Sequence, residues 1–271
     1  MNNPMYILGH SDREIARLRV QAHLLEPVTK QFLRDAGITR GMRVLDIGSG
    51  AGDVAFLAAE LVGRSGEIIG SDTASAAVAA AARLAEERGV PNVVFREGDP
   101  AHMDFTQRFD AIVGRYVLLF QSNPADMLRK LAHHVGPGGV MVFHEPDWVS
   151  ARSSPPAPTY DRCVSWIRDT FRIAGTDSDM ASRLYTTFVG AGLPAPSMRM
   201  QTFIGGGAAC ADFLRAVVDL VATLLPTMER QGITTAAEAD VTTLAERLTV
   251  EVIDNGSVVV GRSEVGVWTR L

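Results

Sequence analysis

The chain has 271 residues, 46% of them hydrophobic and 21% charged, with 26 Lys+Arg against 31 Asp+Glu for a formal net charge of −5. That composition gives a folded chain with room for a sizeable core and excludes extensive disorder. Only two lysines occur, Lys30 and Lys130, and no run of Lys and Arg forms a basic face, so a nucleic-acid partner is not expected.

The first predicted element is a helix opened by Ser11-Asp12-Arg13-Glu14, where Ser11 caps and Glu14 reaches back to the cap. Ile15, Leu18, Ala22 and Leu25 follow at helical spacing. Pro27 is expected to kink or restart that helix, and Gly37 to stop it. Strands and helices then alternate. Arg43–Ile47 reads as a buried strand, Asp53–Val62 as a helix ended by Gly63, and Glu67–Gly70 as a second strand. An alanine-rich helix spans Ser75–Arg88, Val93–Arg96 is a third strand and Asp110–Val113 a fourth. Asn123-Pro124 opens a helix to about His134, and Gly138-Gly139 introduces a fifth strand, Val140–His144. Alternation with short glycine-rich connections predicts an α/β fold, a doubly wound and mostly parallel sheet with ligands beyond the C-terminal strand ends.

Beyond this point the pattern is less regular. Pro155, Pro156 and Pro158 form a rigid link into a helix around Tyr160–Ile173, and Asp177 or Ser178 caps another ending near Gly190-Ala191-Gly192. Met198–Ile204 reads as a strand. Helical stretches over about Cys210–Arg230 and Thr235–Ile253 are separated by Gly232, and Ser257–Thr269 ends the chain as a strand. Cys163 and Cys210 lie far apart without a CxxC spacing and read as reduced thiols. No apolar stretch approaches the ~18–20 residues of a membrane helix, and Met-Asn-Asn-Pro-Met-Tyr has neither the basic nor the apolar region of a secretion signal. A cytoplasmic location and no membrane partner are therefore expected. No HExxH or Cys/His spacing suggests a metal.

The chemistry concentrates in Asp46-Ile47-Gly48-Ser49-Gly50-Ala51-Gly52, where the first strand turns into a helix. Glycines there let the backbone turn sharply and approach a ligand closely. A dinucleotide fingerprint counted from Gly48 would end on Asp53, and an aspartate at the helix start repels a pyrophosphate. The pattern is instead D-x-G-x-G-x-G. Asp72 closes the second strand, Gly98-Asp99-Pro100 follows the third, Phe109-Asp110-Ala111-Ile112-Val113 is the fourth, and Gly136-Pro137-Gly138-Gly139 precedes the fifth.

Together these motifs, over residues 40–148, resemble the class I S-adenosylmethionine-dependent methyltransferases. The resemblance implies a seven-stranded Rossmann-like sheet with an N-terminal helical segment and a helical insertion before the last strand. It implies one methyltransferase domain over 1–271, with a helical cap at 1–37, a cofactor-binding core at 38–148, and a C-terminal part at 149–271 carrying a helical lid at about 207–255. It implies S-adenosylmethionine as cofactor and S-adenosylhomocysteine as product. Asp46 would then support the methionine amino group, Gly48, Gly50 and Gly52 would run under the methionyl-ribose part, and Asp72 with Thr73 would take the ribose. Gly98, Asp99 and Pro100 would border the adenine, with Arg115 beside the cofactor. The ligand carries a sulfonium cation and no phosphate, so acids around the turn favour it.

Tyr6–Glu14, Gly114–Leu118 and Glu145-Pro146-Asp147-Trp148 resemble bacterial small-molecule methyltransferases of the ubiquinone/menaquinone and natural-product kind. A small, partly apolar acceptor is the expected partner, and a homo-oligomer is compatible with the helical part. The catalytic candidates stand at strand ends: His144 as base, Glu145 as an acceptor-orienting group, and Arg115 as a partner for a substrate carboxylate or for Glu145. Tyr6, His10, Tyr116, Asp147 and Trp148 are the expected acceptor-binding residues. Two other classes remain beside this reading. One is a non-methylating protein that binds the same cofactor on the same scaffold, and the other is an NAD(P)-dependent oxidoreductase, disfavoured by Asp53.

Overall fold

In the computed structural model, which describes residues 25–271, the alternating apolar segments pair into one sheet. The described part of helix α1 covers residues 25–35 and includes Pro27, and the residues before it, on which the expected kink or restart depends, lie outside the described residues. The capping box at Ser11–Glu14, with Tyr6 and His10, lies outside the described residues. The remaining elements are β1 (Arg43–Ile47), α2 (Asp53–Val62), β2 (Glu67–Asp72), α3 (Ser75–Glu87), β3 (Val93–Glu97), β4 (Phe109–Arg115), α4 (Pro124–Ala132), β5 (Val135–Asp147), β6 (Arg152–Ser154), α5 (Pro158–Ile173), α6 (Met180–Gly190), β7 (Ser197–Gly206), α7 (Ala211–Arg230), α8 (Ala236–Ala239), α9 (Leu244–Asp254) and β8 (Val258–Arg270).

The strand order is β3-β2-β1-β4-β5-β8-β6, with β7 also pairing β8. The run β3-β2-β1-β4-β5 is parallel throughout, and β6 runs antiparallel to β8. The order reverses between β1 and β4, which opens a crevice at their C-terminal ends. Among the described residues eight strands form where the sequence patterns suggest seven. The extra one is β6, whose three residues are too short for alternation to register. Strand β5 also starts earlier than expected, since Val135 pairs with Phe109 before a register shift carries the ladder past the glycines to Ala111–Val140. The last helical stretch is split at Asp240, which takes a left-handed conformation with φ 39°.

The chain forms two compact units. One comprises residues 25–145, 181–200 and 265–271. Its core joins Leu33 of α1, Ala36 just beyond it, the buried face of α2, Ala85 of α3, and Val44, Ala111, Val113, Val140 and Val142 from the sheet. On the other face Phe143 of β5 meets Phe188 of α6 edge to face, so strands buried on both sides read as continuous apolar runs. The second unit comprises residues 146–180 and 201–264. There α5, α7 and α9 share a core around Tyr160, Trp166, Leu214, Val221 and Leu248. The buried Tyr160 hydroxyl donates to the Val260 carbonyl of β8. No helix among the described residues is long and apolar enough to cross a membrane.

Candidate active site

The turn after β1 is built by two restraints. Gly48, Gly50 and Gly52 all have positive φ, at 60°, 53° and 92°, and such backbone is open to glycine at little cost. Gly52 is also fixed by packing, because a Cβ there would stand 2.7 Å from Phe95 Cζ and 2.9 Å from Phe56 Cε2. Gly50 differs. A Cβ at Gly50 meets nothing within 4 Å, so its surface borders open space. Asp72 holds the turn from the neighbouring strand, its carboxylate accepting the Gly50 N–H and the Ala74 N–H, both at 2.9 Å.

Asp46, at the end of β1, is 1% exposed. The Ala55 N–H in the first turn of α2 donates to its carboxylate, and Oδ2 is buried without a hydrogen-bond partner among the described residues. Burial pushes this carboxyl up to about 8. The Arg115 cation and the Ala55 N–H oppose the rise, whereas the charges of Asp53 and Asp72 add to it. A buried acid with an unmet acceptor oxygen favours a cationic donor. These residues fit the amino end of S-adenosylmethionine: a carboxylate oxygen in need of a donor, beside a glycine that leaves room.

Just after β3, Gly98 has φ 142° and donates its N–H to the Asp72 carbonyl. Asp99 accepts the Ala101 N–H and bonds the His102 ring at 2.9 Å. Pro100 is buried and Thr73 exposed. Arg115 and His144 are direct partners in the β4–β5 ladder. The Arg115 guanidinium donates to Thr29 Oγ1 at 3.3 Å and pairs with Asp53 at 3.4 Å. His144, 2% exposed, has Nδ1 3.1 Å from the same Thr29 hydroxyl, and its ring meets the rings of Phe32 and Tyr116 edge to face. Tyr116 has φ 58°, a strained conformation for a large side chain.

Glu145 is fully buried. Its Oε1 accepts the N–H groups of Val117 and Leu118, and Oε2 that of Leu119. It therefore anchors the 3₁₀ turn Leu118–Phe120. In the second unit, Asp147 accepts the Val149 N–H in a local turn. Trp148 is 3% exposed within that unit's core, with the Arg262 guanidinium 5.3 Å from its ring centre, which is a packing position. Thr29 and Phe95 carry no local sequence signal, since their partners lie on other elements. Asp53 was visible only as a charge at a helix start.

The matched relatives are methyltransferases by name. Over 129 residues the chain is 32% identical to aklanonic acid methyltransferase DauC of Streptomyces sp. (strain C5), covering 47% of this chain and 59% of that one. Over 116 residues it is 34% identical to the ubiquinone/menaquinone biosynthesis C-methyltransferase UbiE of Azotobacter vinelandii, covering 41% and 46%. The chain thus spans about half the length of these relatives. The crystal structure of YcgJ from Bacillus subtilis superposes with a TM-score of 0.55 at 21% identity, over 90% of this chain and 98% of that one, a likeness of fold. A family model for the methyltransferase domain matches residues 38–188, more than half of the chain, and the protein belongs to that methyltransferase family.

Proposed function

We propose that this protein transfers the methyl group of S-adenosylmethionine to a small-molecule acceptor and releases S-adenosylhomocysteine. The observation that carries the reading is the buried Oδ2 of Asp46, without a partner among the described residues, at the strand end where the strand order reverses. Asp46 would hold the methionine amino group, and Gly48, Gly50 and Gly52 would line the methionyl-ribose part. The Asp72 carboxylate, with lone pairs beyond those given to Gly50 and Ala74, would accept the ribose hydroxyls beside Thr73. Gly98, Asp99 and Pro100 would border the adenine.

When bound, the cofactor supplies a methyl group already activated on a sulfonium. The protein then has to align the acceptor and exclude water. Arg115, His144 and Tyr116 stand at the C-terminal ends of β4 and β5 and are proposed to orient the acceptor. Glu145 is proposed to act at one remove, through the loop it anchors. Relatives named for aklanonic acid and for ubiquinone/menaquinone biosynthesis support a small, partly apolar acceptor. Acceptor contacts by Tyr6, His10 and Asp147, the lid over 207–255, a homo-oligomer and a cytoplasmic location belong to the same proposal.

Two measurements test it. S-adenosylhomocysteine should bind in calorimetry and raise the melting temperature, whereas NAD should do neither. Incubation with S-adenosylmethionine and a library of small acceptors should yield a methylated product by mass. Binding of NAD without S-adenosylhomocysteine overturns the reading.

A further inference from the structure

Threonines inside this protein's helices commonly turn their hydroxyl back on the preceding turn. Thr170 donates to the Trp166 carbonyl at 2.6 Å, Thr223 to Asp219 at 2.9 Å and Thr249 to Ala245 at 2.8 Å. Thr29 of α1 is 2% exposed and points elsewhere. Among the described residues its Oγ1 has two partners, Arg115 Nη1 at 3.3 Å and His144 Nδ1 at 3.1 Å.

The proton count at this hydroxyl is restrictive. Arginine has donors only, so Arg115 occupies an acceptor position on Oγ1. If Nδ1 also carried a proton, the hydroxyl would accept twice and its own proton would be buried with no acceptor among the described residues. An imidazolium fails on the same ground, because it too has a proton on Nδ1. The Thr29 hydroxyl and Nδ1 are both satisfied when the hydroxyl donates to an unprotonated Nδ1, which leaves the ring proton on Nε2. Asp53 supports this arrangement from α2 by pairing with Arg115, and Phe32 and Tyr116 flank the ring.

We infer that Thr29 is a positioning residue that keeps the proton of His144 on Nε2, so that this imidazole offers a hydrogen-bond donor and is not the base of the reaction. The placement of the proton stands on geometry alone. Its catalytic consequence rests on the methyltransferase reading above, and it replaces the expectation that His144 accepts a proton.

Nitrogen-15 NMR of the full-length protein without ligand tests the placement. The His144 signals, identified by their loss in His144→Gln, should show a pyridine-type Nδ1 and a protonated, pyrrole-type Nε2. Thr29→Val, which removes the hydroxyl and keeps the shape, should shift both nitrogens toward the average of two tautomers, and Thr29→Ser should restore them. A protonated Nδ1 in the wild type, or a Thr29→Val spectrum identical to it, overturns the inference. If Thr29→Val does not fold, the wild-type spectrum decides alone. In a methyl-transfer assay the acidic limb of the pH–kcat profile should survive in His144→Gln, and its disappearance would restore His144 as base. Failure of wild-type protein to bind S-adenosylhomocysteine would remove the methyltransferase reading while leaving the NMR result standing.

Discussion

The carboxylate of Glu145 accepts the backbone N–H of Leu118 at 2.8 Å, joining the end of β5 to the loop that leaves β4. With Val117 and Leu119 also donating to it, a fully buried acid does the work of a helix cap for a turn with few internal hydrogen bonds. Charge-assisted bonds of this kind are stronger than neutral ones. The loop so fixed follows Arg115 and Tyr116, so the arrangement couples the packing of β5 to the geometry of the candidate site.

Glu145→Gln should destabilise the protein by about 1–3 kcal/mol, because one amide oxygen replaces two carboxylate oxygens and the amide NH2 opposes a buried N–H. Glu145→Ala should cost more, leaving three donors without a partner. Urea unfolding measures both. Wild-type stability in Glu145→Gln would show that the three bonds do not hold the loop.

Alanine at Gly50 and at Gly52 should separate ligand binding from folding. Gly50→Ala meets no neighbour and should cost only the left-handed conformation, about 1–2 kcal/mol, yet weaken S-adenosylhomocysteine binding at least tenfold by filling the ligand's space. Gly52→Ala adds a collision with Phe95 and Phe56, and overpacking adds about 1–3 kcal/mol. Thermal melts and calorimetry on both variants check the ordering, and it fails if Gly50→Ala binds normally.

Asp46 gives a pH signature of stability. Its folded value of about 8 lies above the ordinary carboxyl value of 3.8, so between those two the native state holds a proton that the unfolded state has released. Stability should therefore fall as pH rises from about 4 to about 8, by at most about 1.4 kcal/mol per pH unit from this group. Asp46→Asn cannot ionise and should lose that slope while binding S-adenosylhomocysteine about 1–3 kcal/mol more weakly. Parallel slopes for the two proteins in pH-dependent unfolding would exclude the buried protonated acid.

Tyr116 is expected to trade stability for placement. Tyr116→Asn, a residue that tolerates the left-handed region, should keep the melting temperature within a few degrees despite losing ring contact with His144. Turnover of an identified acceptor should fall, with KM rising. Unchanged KM and kcat would take Tyr116 out of the acceptor site.

Much of this protein is written locally. The period of apolar residues marks β1 to β4 and their helices to within two or three residues, because β1, β2 and β4 are buried on both faces and β3, at the sheet edge, keeps a short β-branched run. The turn Asp46–Gly52 is legible because only glycine tolerates its positive φ and the close approach of Phe95. What the sequence leaves open is decided by partners far along the chain. Thr29 reaches His144 across 115 positions and Arg115 across 86, so no spacing rule could connect them. Glu145 reads in sequence as a candidate catalytic acid at a strand end. The tertiary structure buries it under three backbone donors, since a polar group removed from water must be paired wherever the fold brings a partner. Trp148, three residues further along, turns into a hydrophobic core for the complementary reason: its large apolar surface is removed from water there. Local pattern specified the scaffold and the glycine turn, and long-range packing decided which polar groups at the strand ends are anchored and which face the crevice.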